Sequence, residues 1–212
     1  MSSCGPRADC LLSERRTRKA DYQDTSQLQR LNEKAVKTID EHMAWIRTER
    51  LLLRPVSIND VADLHDIFSN PDAMAFWSTP PHISLAETEA WVATTMSIDP
   101  GEGEDFVVEC SGQVIGKVGL YQFPEIGFIL NPNSWRRGYA REALTALIDR
   151  AFSVHRLPSI DADVDPRNKA SLGLLQRLGF QVVGHALRTW NVDGVWCDSV
   201  YLRLMRPDSK VS

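Results

Sequence analysis

The stretch NPNSWRRGYAREALTALIDRAF, residues 131–152, combines a predicted helix with an unusual start. From Ala140 onward, apolar residues recur at helical spacing and lay one apolar stripe along the helix: Ala140, Leu144, Leu147, Ile148, Ala151 and Phe152. Three arginines stand at its N-terminal end, where unpaired N–H groups already carry partial positive charge: Arg136, Arg137 and Arg141. Such an end can bind phosphate, and Gly138 would let the backbone approach it closely. The stretch therefore predicts either an anion-binding loop or a solvated, arginine-rich surface.

The composition places the 212-residue chain among ordinary globular proteins, with 43% hydrophobic and 25% charged residues. Its net charge of −4 gives no overall reason to expect nucleic acid or an anionic membrane as a partner, so the arginines are a local feature. The cysteines form no CxxC pair and no Cys/His zinc pattern, so no metal is expected: Cys4, Cys10, Cys110 and Cys197. Because the sequence has neither a signal-peptide pattern nor a membrane-spanning run, we expect a cytoplasmic protein.

Two parts are predicted along the chain: a polar extension over residues 1–45, partly helical, and a compact domain over residues 46–208. In the extension and just beyond it, apolar residues recur at roughly helical spacing: Leu28, Leu31, Val36, Ile39, Met43 and Ile46. We expect a mobile start followed by a surface helix that packs on the domain or on a partner.

The compact part alternates between strand and helix patterns in the order β–α–α–β–β–β–α–β–α–β–β. Strands are predicted over 50–56, 106–110, 114–122 and 125–130, in SIDADVDP, and on both sides of VDG. Helices are predicted after Ser57 and Ser84, from Ala140, and in NKASLGLLQRLG, with PDAMAFWSTPPH as a loop. This order predicts a mixed α/β sheet with helices on both faces. The dinucleotide GxGxxG and P-loop motifs are absent, which argues against both nucleotide folds.

Four motifs carry a resemblance to one known family. The run WRRGYAREA resembles the pyrophosphate loop [Q/R]-x-x-G-x-[G/A] of the GNAT superfamily, the acyl-CoA-dependent N-acetyltransferases, in the form typical of its RimJ/RimL-type branch. Arg136 departs from that branch, which has a small residue there. Three further segments resemble the branch in the right order: TERLLLRP, NKASLGLLQRLGF and DGVWCDSVY. Over about residues 48–206, the resemblance implies the GNAT fold, a mixed, mostly antiparallel central sheet with a splayed strand at the acetyl-CoA cleft.

The resemblance also implies how acetyl-CoA binds as co-substrate. The strand EIGFIL would offer backbone groups to the pantetheine arm from Phe128, Ile129 and Leu130, although the same run also fits an ordinary buried strand. The loop and helix start would hold the pyrophosphate: Arg136, Arg137, Gly138, Tyr139, Ala140 and Arg141. Asn168 would bond the pantetheine arm, cap the following helix, or do both.

The family chemistry is direct attack of a primary amine on the thioester in a ternary complex, without an acyl-enzyme and without a metal. Glu125 is the candidate general base, acting directly or through water; a surface glutamate at a strand edge is the alternative. Many members place a tyrosine seven positions after the helix-start asparagine, where this chain has Leu175. Ser171 is the remaining candidate for donating to the thiolate leaving group, with an ordinary first-turn helix serine as the alternative.

The acceptor would be a protein N-terminus, a polyamine, an amino acid or an antibiotic, because the acceptor loops are the variable part of this fold. Trp77 and His82 lie in the expected substrate loop, and Trp190 lies on the terminal hairpin that would form the other wall. Core packing of the tryptophans and a loop role for His82 are the alternatives. The expected partners are acetyl-CoA and an amine, with the protein a monomer or a homodimer.

Two other functions compete with this one. The chain would also fit a non-catalytic acyl-CoA-binding module that works as an interaction protein. Leu175 in place of the tyrosine favours that function, whereas Glu125 and Ser171 disfavour it. The other competing function is a protein whose arginine-rich loop binds a phosphate ligand other than acetyl-CoA.

Overall fold

The computed structural model describes residues 45–207, and the predicted N-terminal extension and its helix lie outside them, apart from Trp45. The strands are β1 Ile46–Arg47, β2 Leu52–Pro55, β3 Glu104–Cys110, β4 Gln113–Gln122, β5 Glu125–Leu130, β6 Ser159–Val164, β7 Gln181–Val192 and β8 Val195–Met205. The α-helices are α1 Val61–Phe68, α2 Pro71–Met74, α3 Leu85–Met96, α4 Tyr139–Ser153 and α5 Lys169–Arg177. Short 3₁₀ turns precede α1 and α4, over Ile58–Asp60 and Pro132–Ser134. No helix among the described residues is long and apolar enough to cross a membrane.

One eight-stranded sheet carries the domain, in the order β1-β2-β3-β4-β5-β6-β8-β7. Neighbouring strands are antiparallel except β5 and β6, which are parallel. The prediction of a mixed, mostly antiparallel sheet is therefore confirmed. The exception matters for function, because it stands at the strand that the sequence assigned to cofactor binding.

The core has two parts, one on each face of the sheet. Successive residues of a strand point to opposite faces, so Phe106 and Val108 join one part and Val107 joins the other. The first part packs α4 and α5 on the sheet and includes Leu144, Leu147 and Leu175. The second packs α1, α2 and α3 and includes Leu64, Ile67, Phe68, Met74, Val92 and Ile129. Helices thus cover both faces, as predicted.

The structure differs from the predicted elements at two places. Ile46, the last residue of the predicted surface helix pattern, instead lies in β1, where it pairs with Leu53. The predicted loop PDAMAFWSTPPH begins with α2, whose first turn is capped by Asn70. The Asn70 side-chain oxygen accepts hydrogen bonds from the backbone N–H groups of Asp72 at 2.9 Å and Ala73 at 3.1 Å. Pro71 then suits the first helical position, where its missing N–H is not needed.

Candidate active site

The central feature of the site is a gap that opens between the parallel strands β5 and β6. Their register joins them at Glu125, opposite Asp161, and Asp161 N–H donates to the carbonyl of Pro124 at 3.0 Å. β4, in contrast, pairs with β5 as far as Leu130. Beyond Glu125, one edge of β5 therefore faces a cleft instead of a partner strand, which is the splayed strand expected from the sequence.

The antiparallel register decides which backbone groups of β5 face the gap. Asn131 N–H donates to the Ile115 carbonyl at 2.8 Å, so the backbone groups of Ile129, two residues earlier, also face β4. Those of Phe128 and Leu130 then face the gap. This geometry corrects the expectation for Ile129, whose side chain is buried at 5% exposure under α1–α3.

The loop between β5 and α4 presents the end of a helix to solvent beside this gap. Gly138 precedes α4 with a φ of 83°, and Arg136 has a φ of 59°, so two residues of the loop have a left-handed backbone conformation. The residues from Trp135 to Gly138 are exposed. Trp135 ties the loop to the strand, since its indole Nε1 donates to the Leu130 carbonyl at 2.9 Å. The six residues predicted to hold pyrophosphate are therefore together at one helix N-terminus.

An open groove of about 490 Å³ is lined in part by this loop and helix start, through Gly138 and Arg141. Its walls are Thr48, Glu49, Arg50, Gly138, Arg141, Glu142, Thr145, Ala146 and Asp149. Because none of these residues belongs to β5 or β6, the groove is a separate feature from the gap.

Glu125 lies exposed at the start of β5 and is bonded to a residue that the sequence interpretation missed. Tyr121, at the end of β4, donates its hydroxyl hydrogen to Glu125 Oε2. Burial, followed by this bond to a carboxylate, raises the pKa of Tyr121 well above its ordinary value, so the phenol stays protonated. No signal in the sequence joins the two side chains, because the pairing of β4 with β5, including its register shift between Gly119 and Gln122, brings them together.

The terminal hairpin, β7 and β8, contacts β6 near Glu125 through Trp190. Trp190 Nε1 on β7 donates to Asp163 Oδ2 on β6 at 2.9 Å. Asp163 lies on β6 two residues beyond Asp161, which is opposite Glu125. Its charge also raises the pKa of Tyr121, behind burial and Glu125. Trp190 is half-exposed at 45%, which leaves much of its ring open to solvent. Two carboxylates, Glu125 and Asp163, thus share one region with two aromatic rings.

Trp77 lies near Tyr121, around Gly127 of β5. A Cβ built on Gly127 would lie 3.6 Å from the Tyr121 ring and 4.0 Å from the Trp77 ring, so Gly127 leaves space beneath both aromatics. The Lys117 ammonium lies 5.4 Å from the centre of the Trp77 ring and 6.0 Å from that of Tyr121. Trp77 therefore lies near Tyr121 and Gly127, and its contact with the acceptor stays a prediction.

The Lys117 ammonium near the Trp77 and Tyr121 rings belongs to a buried ion pair. Lys117 Nζ lies 2.6 Å from Asp105 Oδ2, and both side chains are 3% exposed. Burial raises the pKa of Asp105, and the neighbouring ammonium opposes that rise. The sequence interpretation missed both residues, because Asp105 comes before the predicted strand 106–110 and Lys117 stands in an apolar one, and register alone brings them together.

His82 joins a different group of side chains. Its ring Nδ1 lies 2.8 Å from Thr88 Oγ1, and its ring packs edge-on against Phe68 at 5.2 Å between centroids. His65 Nδ1 lies 2.8 Å from the same hydroxyl, so one threonine joins α1, α3 and the loop. Burial lowers the pKa of His82, with His65 adding to the effect and Glu87 opposing it. These contacts hold the loop in place and favour the loop role over acceptor binding.

The start of α5 follows the predicted capping pattern. Asn168 Oδ1 accepts a hydrogen bond from Ser171 N–H at 3.0 Å, which caps the helix. Ser171 is half-buried in the first turn. Leu175 is fully buried in the core at 0% exposure, so the position of the family's tyrosine serves packing in this chain.

Residues 50–181 match the family model of the acetyltransferase (GNAT) domain. The chain belongs to the GNAT acetyltransferase family. This GNAT protein is 32% identical over 152 residues to the uncharacterized N-acetyltransferase p20 of Bacillus licheniformis, covering 67% of this chain and 85% of that one. It is therefore an N-acetyltransferase by family, which confirms the prediction from the four motifs.

Two solved structures share the fold of this GNAT protein. Spermidine N-acetyltransferase from Vibrio cholerae, in complex with CoA and spermine, superposes with a TM-score of 0.66 at 24% identity, covering 74% of this chain and 96% of that one. The ribosomal α-N-protein acetyltransferase RimL, in complex with coenzyme A, superposes with a TM-score of 0.69 at 19% identity, covering 76% and 97%. RimL-type enzymes are thus among the structural neighbours, as the motifs predicted.

Proposed function

We propose that this GNAT protein transfers the acetyl group of acetyl-CoA to a primary amine at the gap between β5 and β6. The single observation that carries the proposal is the divergence of these strands beside the N-terminus of α4. A cleft edged by backbone hydrogen-bonding groups suits the amide-bearing pantetheine arm, and a glycine-led helix start suits a pyrophosphate.

Each end of the co-substrate has fitting residues. Phe128 and Leu130 would bond the pantetheine arm through backbone groups, and Asn168 would contribute if its side chain serves more than the cap. The loop from Arg136 to Arg141 would hold the pyrophosphate, with its arginines and its helix end both favouring negative charge. When bound, acetyl-CoA supplies the acetyl group as a thioester.

The proton must leave the acceptor before or during the attack. Glu125 is proposed as the general base, because it is an exposed carboxylate at the mouth of the gap. The amine nitrogen forms a bond to the acetyl carbon as the carbon–sulfur bond breaks, and the ammonium proton passes to Glu125 directly or through water. Tyr121 orients the carboxylate. Ser171 is proposed to donate a hydrogen bond to the departing thiolate. The thiolate ends as a thiol by gaining the second proton, which the amine nitrogen loses as the amide forms.

The acceptor is proposed to arrive as a cation. Glu125 and Asp163 are both exposed in a region edged by Trp77, Tyr121 and Trp190, and such a surface attracts an ammonium group through charge and ring faces. Spermidine and a ribosomal protein are the acceptors named for the two structural neighbours. Both kinds of amine therefore belong in the first experiment.

The experiment is an acceptor screen with purified full-length protein, acetyl-CoA, spermidine, spermine and peptides with free N-termini. Thiol release and a mass gain of one acetyl group on the amine are the expected results. N-terminally blocked peptides are the control and should gain nothing. Binding of acetyl-CoA without turnover on any amine contradicts the catalytic proposal. That result would favour the alternative of a non-catalytic acyl-CoA-binding module, which the buried Leu175 supports.

A further inference from the structure

Next to the proposed pyrophosphate loop, Thr48 and Arg50, which precede β2, donate hydrogen bonds to the carboxylate of Glu142 in the first turn of α4. Thr48 Oγ1 donates to Glu142 Oε1 at 2.5 Å, and the backbone N–H of Arg50 donates to the same oxygen at 2.8 Å. The Arg50 Nε donates to the other oxygen, Oε2, at 2.7 Å. Both carboxylate oxygens are thus engaged, by residues more than ninety positions away in sequence.

Arg50 also reaches the loop itself. Its Nη1 donates to the Arg137 carbonyl at 2.9 Å, and its guanidinium carbon lies 4.7 Å from the centre of the Tyr139 ring. Its Nη2 lies 3.2 Å from where a Cβ on Gly138 would be. One side chain therefore contacts three successive positions, those at which the loop becomes a helix.

The loop needs such support because Arg136, a non-glycine residue, has a φ of 59°. A left-handed non-glycine residue persists only where its surroundings enforce it. Gly138 has a φ of 83°, which glycine adopts readily. The bond from Arg50 to the Arg137 carbonyl restrains the residue between them.

The charge of Glu142 bears directly on phosphate binding. A carboxylate in the first helical turn would occupy the positive end of the dipole and repel a phosphate there. Although burial opposes its ionisation, the hydrogen bonds from Thr48 and Arg50 hold the pKa of Glu142 below its ordinary value. The carboxylate is therefore ionised, and the guanidinium beside it offsets its charge.

We infer that Thr48, Arg50 and Glu142 form a clamp that fixes the loop in its phosphate-binding conformation, with Arg50 as a positioning residue for CoA. The inference rests on the proposed function, because it concerns how the same loop binds the co-substrate. The clamp pre-organises the loop and offsets the Glu142 charge with the Arg50 guanidinium, and both effects lower the cost of binding.

The test compares CoA dissociation constants, measured by calorimetry, for wild-type protein, Arg50→Ala and Arg50→Lys. Arg50→Ala should raise the dissociation constant about tenfold, the scale of losing one or two charge-assisted bonds in the support of a loop. Arg50→Lys should give a smaller rise, because an ammonium keeps the charge but lacks the fork that reaches both Glu142 and Arg137. Arg47→Ala, exposed on β1, is the matched control and should bind CoA like the wild type.

Kinetics and amide exchange separate positioning from general destabilisation. The acetyl-CoA KM of Arg50→Ala should rise while kcat at saturation stays near wild type, and the amides of residues 136–139 should exchange faster without ligand. If wild-type protein binds CoA and both Arg50 variants bind it as tightly as the wild type, the clamp inference is overturned. If wild-type protein does not bind CoA, the proposed function itself fails. Should Arg50→Ala fail to fold, Arg50→Lys and its exchange rates decide the matter.

Discussion

Tyr121 donates its hydroxyl hydrogen to Glu125 across the turn that joins β4 to β5. Glu125, the first residue of β5, is also where β5 pairs with β6, so the tyrosine orients a carboxylate at the point where the gap opens. A carboxylate held in one orientation at the mouth of a cleft can accept a proton from an incoming ammonium group. The first two predictions follow from this pair.

Glu125→Gln keeps the shape of the side chain and removes its basicity. General-base catalysis contributes about 10²–10⁴-fold in rate, so kcat should fall by an amount in this range. CoA affinity should stay near wild type, because the proposed pyrophosphate site is separate from the carboxylate. The defect should shrink as pH rises, since more of the amine then arrives neutral. Steady-state kinetics across pH check this, with the exposed Glu89→Gln as the control. A near wild-type kcat at neutral pH would remove Glu125 from this role.

Tyr121→Phe keeps the ring over Gly127 and removes the hydroxyl that orients Glu125. We expect kcat to fall about tenfold, which corresponds to the loss of about 1.4 kcal/mol from one hydrogen bond to a charged group. In the Glu125→Gln background the same change should have little further effect, because the two residues act as one unit. Equal and additive losses in the double variant would show that Tyr121 acts independently of Glu125.

Gly138→Val places a β-branched residue in a left-handed conformation and adds a Cβ 3.2 Å from Arg50 Nη2. CoA binding should weaken strongly, because the backbone can no longer approach the pyrophosphate. Gly112→Val is a matched control, since Gly112 has nearly the same φ, 82°, with nothing within 4 Å of an added Cβ. The control should lose comparable stability but keep its CoA dissociation constant. Equal CoA binding by both variants would mean that the loop is not the cradle.

Acid should loosen the loop that His82 anchors. Burial lowers the pKa of His82 in the folded protein, whereas the unfolded chain has the ordinary value of 6.5. Above that pH both states are neutral, and as pH falls through and below it the unfolded state binds the proton first, so stability is lost. Urea unfolding at about pH 7 and about pH 5 should show this loss, and His82→Gln should reduce it. The exposed His185→Gln is the control, and an equal reduction there would contradict the prediction.

Local signals in the sequence predicted the elements around the site well. The predicted strand 125–130 agrees with β5 residue for residue, because prolines at 124 and 132 mark its ends. The helix predicted from Ala140 begins one residue earlier, at Tyr139, after the glycine whose left-handed φ starts it. α2 was missed although Asn70 and Pro71 are a recognisable helix start.

The partnerships in the site depend on register and on distant parts of the chain, which the sequence alone does not supply. A shift in register between Gly119 and Gln122 sets where Tyr121 meets Glu125. Only the pairing of β4 with β5 shows that Ile129 faces away from the gap. Arg50 and Glu142 meet across 92 residues, through the packing of α4 on the sheet. The motifs located the loop, while the fold provides its support.

Residue-resolved amide hydrogen exchange with and without CoA tests the central claim, that CoA binds in the gap along β5. In the free protein, Ile129 N–H should exchange slowly because it faces β4, while those of Phe128 and Leu130 face the gap and should exchange faster. Added CoA should slow the amides of Phe128 and Leu130, together with those at the start of α4, and leave Ile129 unchanged. Tight CoA binding that leaves the Phe128 and Leu130 amides unaffected would contradict the account.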